Sequence, residues 1–202
     1  MKQVKIVVTG GPSGGKTTLI EGLKKDLGPH AALVPEAASI LYRGGFPRLK
    51  QEAAQEHAQR AIYLIQKELE GLVADINEKS QLLVCDRGSL DGIAYWPRGE
   101  SHFFKALKSS RRKELKRYDW VIHLDTASRN FYDTTNPIRT ESFSEALKLN
   151  ERVKKAWRDH PRRIVITQNE DFLSKMTLSL SVIRAILDGR SYEEILSELL
   201  SG

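Results

Sequence analysis

Residues 10–17 of the chain read Gly-Gly-Pro-Ser-Gly-Gly-Lys-Thr and match the pattern G-x-x-x-x-G-K-[ST] at every fixed position. A short run rich in β-branched residues, Val4 to Thr9, precedes this pattern, and apolar residues at helical spacing follow it from Thr18 to Lys25. The predicted order is therefore strand, glycine-rich loop and helix. This order constrains the fold strongly, because the strand must deliver the loop to the N-terminus of the helix.

A loop of this kind binds phosphate groups. Its glycines let successive backbone N–H groups point inward, and the helix N-terminus adds partial positive charge. Lys16 can reach the β- and γ-phosphates, and the hydroxyl of Thr17 can ligate Mg²⁺. The alternative is a glycine-rich turn without a ligand, which the flanking strand and helix disfavour. We therefore predict that ATP with Mg²⁺ is bound by Gly11, Pro12, Ser13, Gly14, Gly15, Lys16, Thr17 and Thr18.

The composition is that of one globular α/β domain spanning residues 1–202, with 40% hydrophobic and 29% charged residues. No apolar run approaches the roughly 18 residues of a membrane helix. The strand pattern begins almost at once, so we expect no signal peptide. Cys85 is the only cysteine, which excludes an internal disulfide framework and a cysteine-based zinc site. We expect a cytoplasmic protein with no membrane contact.

The net charge of +6 suits a protein whose substrates carry phosphate. The densest basic run, Arg111 to Arg117, has one aromatic neighbour, Tyr118, and so lacks the alternating stacking residues of a single-strand platform. We interpret the run as a solvated helix face, with a nucleic-acid patch as the less supported alternative. The five histidines show no metal-ligand spacing and are interpreted as surface or packing residues.

Short apolar runs alternate with helical patterns along the chain, which predicts a parallel sheet with crossover helices. The predicted strands are Val4–Thr9, Ala32–Pro35, Leu82–Asp86, Trp120–Leu124 and Ile164–Thr167. The predicted helices after the loop helix are Lys50–Glu78, Glu145–His160, Phe172–Leu187 and a short C-terminal helix over residues 191–200. A turn-rich segment, about residues 126–144, is the predicted lid over the phosphates.

The third strand ends in a carboxylate followed by an arginine, Asp86 and Arg87. At this position we predict that Asp86 supports Mg²⁺ near Thr17, although a strand-end Asp is also a common helix cap. Arg87 lies at the sheet edge where ligands bind in open α/β folds and can hold a phosphate or substrate oxygen, unless it forms a structural ion pair. For Asp91 a cap or turn and a contact to a substrate hydroxyl both remain open.

The second strand run also ends near a carboxylate, Glu36. This end should lie beside the phosphate loop on the acceptor side, where Glu36 can take the proton of an attacking hydroxyl; the alternative is a glutamate favoured by a helix dipole. Arg139, in the predicted lid, can neutralise charge that spreads over the γ-phosphate, or be a plain surface residue. Arg129 is a second candidate with less support.

Four segments of the chain together resemble a family of small P-loop proteins labelled AAA-domain or predicted ATPase proteins. They are Thr9–Thr18, Pro35–Ala37, Asp86–Pro97 and Arg139–Glu141. The family is similar to the ribosylnicotinamide-kinase domain of the NAD-biosynthesis regulator and, more remotely, to deoxynucleoside kinases. The resemblance spans Lys5 to about Leu187. Its more specific part is the box Asp-Arg-Gly-x-x-Asp with an aromatic-proline continuation.

The resemblance implies a P-loop NTPase fold, an α/β/α sandwich around a five-stranded parallel sheet in the order 2-3-1-4-5. It implies that Glu36 is the catalytic base, that Asp86 and Arg87 are the acid–arginine pair and that Arg139 is the lid arginine. Residues 168–171 would border the base of the nucleotide. A hexameric motor of the AAA+ type is not expected, because no separate helical subdomain is evident.

Three functions are compatible with these features. The first is an ATP-dependent kinase acting on a small hydroxyl acceptor, nucleoside-like or other, with Lys16, Glu36, Asp86, Arg87 and Arg139 as catalytic residues. The second is a regulatory ATPase or GTPase switch with slow hydrolysis. The least supported is a polynucleotide 5′-end kinase or other nucleic-acid enzyme. The C-terminal helix is either a packing element or a homodimer contact.

Overall fold

A five-stranded sheet forms the centre of the molecule in a computed structural model that describes residues 3–127, 142–167 and 172–201. All paired neighbours run parallel, in the order β2-β3-β1-β4-β5. The predicted fold class and strand order are therefore confirmed. The strands are β1 (Val4–Gly10), β2 (Ala31–Val34), β3 (Leu82–Asp86), β4 (Trp120–Leu124) and β5 (Arg163–Ile166).

Helices connect the strands and cover the sheet. In the described ranges they are α1 (Lys16–Leu27), α2 (Ala37–Arg43), α3 (Glu52–Ile76), α4 (Gly92–Tyr95), α5 (Gly99–Leu107), α6 (Arg111–Leu115), α7 (Phe143–Ala156), α8 (Phe172–Leu187) and α9 (Tyr192–Ser201), with a 3₁₀ turn at Gly28–His30. The predicted long helices are present, with ends shifted by up to four residues. Helix α6 lies in the basic run that was interpreted as a helix face. Helices α2, α4 and α5 were not predicted, because four to nine residues give too few turns for a clear helical period.

The sheet is buried on both faces, which explains why its strands read as continuous apolar runs. Ile6 and Val8 of β1 pack with apolar residues of α1, α8 and α9 in one core cluster. Val7, which points the opposite way, packs in the second cluster with residues of α4 and α7, against which α3 also lies. The three layers follow from this alternation.

The carboxyl ends of three central strands meet at one edge of the sheet. In the register, Val8 of β1 is opposite Asp86 of β3, and Gly10 is opposite Leu124 of β4. Glu36 is the N-cap residue of α2, two residues after β2 ends. The glycine-rich loop and both predicted strand-end carboxylates therefore share the edge at which open α/β folds bind ligands.

The predicted lid falls mostly on residues 128–141, which include Arg129 and Arg139 and lie outside the described residues. Residues 168–171, expected to border the nucleotide base, also lie outside them. The end of the predicted segment forms the start of α7. There Ser142 and Glu145 form a capping box, in which each side chain bonds the other's backbone N–H. Within the described ranges, no helix is long and apolar enough to cross a membrane.

Candidate functional site

The glycine-rich loop turns tightly between β1 and α1. Gly10 has a φ of 134°, and a Cβ on it would stand 2.0 Å from the carbonyl oxygen of Leu124. Gly15, the N-cap residue of α1, has a φ of 90°, and Ser13 adopts a φ of 57°. A side chain at position 10 would collide with the backbone of β4, so the loop can lie this close to the sheet only with glycine there.

Lys16 folds back over the loop. Its Nζ donates to the carbonyl oxygens of Gly10 at 3.1 Å and Gly11 at 2.6 Å, and the residue is only 8% exposed. Burial and the charge of Arg87 lower the pKa of Lys16 to about 7, although nearby carboxylates act to raise it. An anionic ligand would take the place of the two carbonyl oxygens as the partner of the Lys16 ammonium. A buried ammonium is stabilised more by a full negative charge than by carbonyl dipoles.

A cavity of about 610 Å³ opens beside the loop. Residues 12–18 line it, whereas Gly11 does not and instead donates its N–H to Oδ1 of Asn150 at 2.9 Å. Glu36, Asp86 and Arg87 line the same cavity. The structure therefore brings together the predicted site residues that it describes, except Gly11, around one space.

Glu36 and Arg87 form a tight pair at the wall of this cavity. Nε of Arg87 donates to Oε1 of Glu36 at 2.6 Å, and the hydroxyl of Ser39 donates to Oε2. Burial acts to raise the pKa of Glu36, but the charge of Arg87 and the bonds from Ser39 and Arg87 lower it to about 2. Glu36 is therefore ionised and held in one orientation at neutral pH.

Asp86 is in the opposite state. Within the described residues its carboxylate has no hydrogen-bond or ion-pair partner. Burial and the charge of Glu36 raise the pKa of Asp86 to about 6, against the attraction of Arg87 and Lys16. A half-buried carboxylate without a partner is a suitable ligand for a divalent cation, and the hydroxyl of Thr17 lines the same cavity.

Asp91 is a buried hydrogen-bond acceptor that joins several residues around the site. Its oxygens accept from the Thr9 hydroxyl at 2.7 and 2.8 Å, from Nε1 of Trp157 at 2.6 Å and from Nη1 of Arg87 at 3.1 Å. Asp91 is the N-cap residue of α4, but its side chain makes no capping hydrogen bond. Both of its oxygens are used within the protein, which favours a structural role over the alternative of a contact to a substrate hydroxyl. Nothing in the sequence linked Thr9, Asp91 and Trp157.

Two of the five cations in the basic run form ion pairs, and the other three are exposed. Arg111 bonds Glu100 and Asp159, and Arg117 bonds the buried Glu70. These contacts remove two of the charges on which a nucleic-acid interface would depend. Among the described residues, no group of three His, Cys, Asp or Glu side chains is arranged to hold a metal.

Residues 5–175 match the AAA domain family, which is most of the chain. The chain belongs to the AAA domain family. Two curated relatives are RuvB-like helicase 1 of Kluyveromyces lactis and of Eremothecium gossypii, each 29% identical over 143 residues. Each match covers 71% of this chain but 30% of the relative, so the chain spans less than a third of these proteins.

Solved structures similar to this AAA domain include three proteins at 14–15% identity. Thymidylate kinase of Candida albicans aligns over 90% of this chain and 91% of its own, with a TM-score of 0.57. Thymidylate kinase of Ehrlichia chaffeensis aligns over 91% and 100%, with a TM-score of 0.62. The NadR protein, in complex with NAD and AMP-PNP, aligns over 94% and 50%, with a TM-score of 0.61.

The family match and these neighbours confirm the predicted resemblance and the P-loop NTPase fold. The family match supports nucleotide binding. Identities of 14–15% carry the fold only, so the reaction and the acceptor must be argued from the cavity of this AAA domain.

Proposed function

We propose that the protein is a kinase that transfers the γ-phosphate of ATP to a hydroxyl group of a small, nucleoside-like acceptor. The observation that carries this proposal is the extent of the cavity. It continues from the loop past Glu36 and Asp86 to Gln59 and Tyr63 of α3. An ATPase needs room only for a water molecule beyond the γ-phosphate, whereas a kinase needs a compartment for a second substrate.

The walls of this second compartment suit a planar ring. Their aromatic and aliphatic surface comes from Tyr42, Ile62, Tyr63 and Tyr95. Gln59 is 8% exposed, lines this cavity, and has no side-chain hydrogen-bond partner within the described residues. Its amide carries both a donor and an acceptor, so a ring edge with an adjacent donor and acceptor could pair with it. A nucleobase has such an edge, which favours a nucleoside-like acceptor over a sugar.

In the proposed reaction the P-loop holds the triphosphate, with Lys16 at the β- and γ-phosphates. Thr17 and Asp86 would hold Mg²⁺, which supplies charge neutralisation for the phosphate oxygens. Arg139 of the predicted lid is proposed to add a further positive charge at the γ-phosphate. The residue itself lies outside the described ranges.

Glu36 is proposed to orient the acceptor hydroxyl. The acceptor oxygen forms a bond to phosphorus as the bond between phosphorus and the ADP oxygen breaks, and the hydroxyl proton leaves late. With a pKa of about 2, Glu36 is a weak base, so it would accept the hydroxyl hydrogen bond and pass the proton on to water. Nε and Nη1 of Arg87 have partners, which leaves Nη2 for a substrate oxygen.

The test is ADP release from Mg²⁺ and ATP across a panel of nucleosides, ribosylnicotinamide, nucleotides and sugars. We expect one planar acceptor to raise the rate many-fold and to be recovered phosphorylated. Glu36→Gln should lose this stimulation while keeping ATP binding, and Lys16→Ala should lose all nucleotide-dependent activity. Glu68→Gln, an exposed glutamate of α3, is the matched control and should behave as the wild type.

A flat panel with tight nucleotide binding would contradict the kinase and favour the regulatory ATPase or GTPase. Full activity in Lys16→Ala would contradict nucleotide-dependent chemistry at this loop. Phosphorylation of an oligonucleotide end, with steep salt dependence, would instead favour the nucleic-acid enzyme.

A further inference from the structure

The first part of the phosphate loop is held by a side chain from a distant helix. Asn150 of α7 is 3% exposed, and its Oδ1 accepts the N–H of Gly11 at 2.9 Å. A Cβ on Gly11 would stand 2.7 Å from Cβ of Asn150 and 2.2 Å from Oγ1 of Thr126. The loop therefore packs directly against α7 and the residues after β4, with a hydrogen bond that sets the orientation of one peptide group.

The orientation of the Asn150 amide is determined by its other partners. Nδ2 donates to Oδ1 of Asp125 at 2.7 Å, and a carboxylate can only accept. Oδ1 of Asn150 must therefore be the atom that faces Gly11. Nε2 of His123 lies 3.0 Å from the same oxygen and so donates to it. Each contact of the amide is consistent with one arrangement only.

Asp125 is in turn fixed by charge. Nζ of Lys154, one turn after Asn150 on α7, lies 2.7 Å from Oδ1 of Asp125, and Nζ of Lys175 donates to the Asp125 carbonyl. Although burial acts in the other direction, the bonds from His123, Asn150 and Lys154 hold the pKa of Asp125 well below its usual range. The carboxylate is therefore a permanent acceptor for the amide.

We propose that Asn150 is a positioning residue of the nucleotide site, which holds the Gly11 peptide so that residues 13–18 present their N–H groups to phosphate. The inference rests on the proposed nucleotide binding. Asn150 does not line the cavity and acts through the loop. Its loss should weaken nucleotide binding, because the loop must then be ordered at the expense of binding free energy.

The test is the dissociation constant of Mg²⁺ with a non-hydrolysable ATP analogue, measured well below the melting temperature of each variant. In Asn150→Asp two carboxylates face each other, and we expect about a 10-fold weaker affinity. In the double variant Asn150→Asp with Asp125→Asn the amide and the carboxylate exchange places. This exchange keeps an acceptor for Gly11 and for His123, so affinity should return to within about 3-fold of the wild type.

Lys154→Met is a milder probe, since this side chain is partly exposed and its loss should leave the fold intact. We expect an affinity loss of about 3-fold, from the weaker hold on Asp125. A purely structural role would lower the melting temperature without changing the dissociation constant, and the exchange would not rescue affinity.

Two failures are distinguishable. If the wild type binds the analogue and Lys16→Ala does not, while Asn150→Asp and Lys154→Met bind as the wild type, the positioning role is wrong and nucleotide binding stands. If the wild type itself does not bind, the proposed function fails and this inference fails with it.

Discussion

The ends of β2 and β3 carry carboxylates in opposite electrostatic states. Glu36, after β2, is bonded by Arg87 and Ser39, and its pKa is lowered to about 2. Asp86, at the end of β3, has no partner among the described residues, and its pKa is raised to about 6. Both line the same cavity, so exposure to that space does not explain the difference.

The difference lies in whether the protein itself supplies the compensating charge. Arg87 adopts a φ of 70°, a conformation that non-glycine residues seldom hold, and its guanidinium reaches Glu36, Asp91 and the Gly10 carbonyl. Glu36 and Asp91 therefore share a hydrogen-bonded cation of the protein, whereas Asp86 has no bonded partner among the described residues and is left for an added cation to bind. In a site arranged in this way, the carboxylate of Asp86 destabilises the fold and the ion pair of Glu36 stabilises it.

The largest effect should come from Asp86→Asn. If Asp86 holds Mg²⁺, the variant should lose roughly 10³-fold in kcat and respond weakly to added Mg²⁺. Its apo form should be at least as stable as the wild type, because an amide removes a buried charge that lacked a partner. The effect on activity is measured as the rate at several Mg²⁺ concentrations. The effect on stability is measured by thermal melting without ligand. A variant that melts much lower would show that Asp86 has a structural role.

Arg87→Lys should lower activity and stability together, in contrast to Asp86→Asn. Lysine keeps the charge but cannot bond Glu36, Asp91 and the Gly10 carbonyl at once. We expect a loss of roughly 10²-fold in acceptor-stimulated turnover and about 2 kcal/mol in the free energy of unfolding. Arg98→Lys is the matched control, since Arg98 pairs with Glu56 at a more exposed position. Equal effects at the two positions would contradict a special role for Arg87.

The pH dependence of stability should separate Glu36 from ordinary glutamates. Its pKa of about 2 in the folded state lies below the model-compound value of 4.5, so its contribution is present above pH 4.5 and is lost as the pH falls toward 2. We expect roughly 1–3 kcal/mol to be lost over this range in the wild type and not in Glu36→Gln. The free energy of unfolding is measured with denaturant at several pH values, with Glu68→Gln as the control. Parallel pH curves for the wild type, Glu36→Gln and Glu68→Gln would contradict the prediction.

The smallest effect is predicted for Trp157→Phe. It removes the indole N–H that Asp91 accepts at 2.6 Å and keeps most of the buried ring, so we expect a loss of about 1–2 kcal/mol in the free energy of unfolding. Trp120→Phe is the control, because Trp120 is equally buried and its indole N–H has no partner among the described residues. An equal loss in both variants would show that ring volume and not the hydrogen bond is responsible.

The features that the sequence determined by itself are local. The strand, loop and helix around Lys16 follow from glycine spacing and apolar periodicity, and the predicted strand runs agree with the sheet to within about one residue at each end. Glu36 and Asp86 were identified because carboxyl ends of parallel strands share one edge of a sheet. The order of the strands followed from the family resemblance and is confirmed by the structure.

Only the tertiary structure decided which charges have partners. Asp91 and Trp157 are 66 residues apart, and Gly11 and Asn150 are 139 apart, so no periodic pattern connects them. These contacts arise when α7 packs on the second face of the sheet, and each depends on the direction of single side chains across that interface. Spacing along a chain predicts neighbours within a helix or strand, whereas hydrogen bonds between elements depend on how the elements pack.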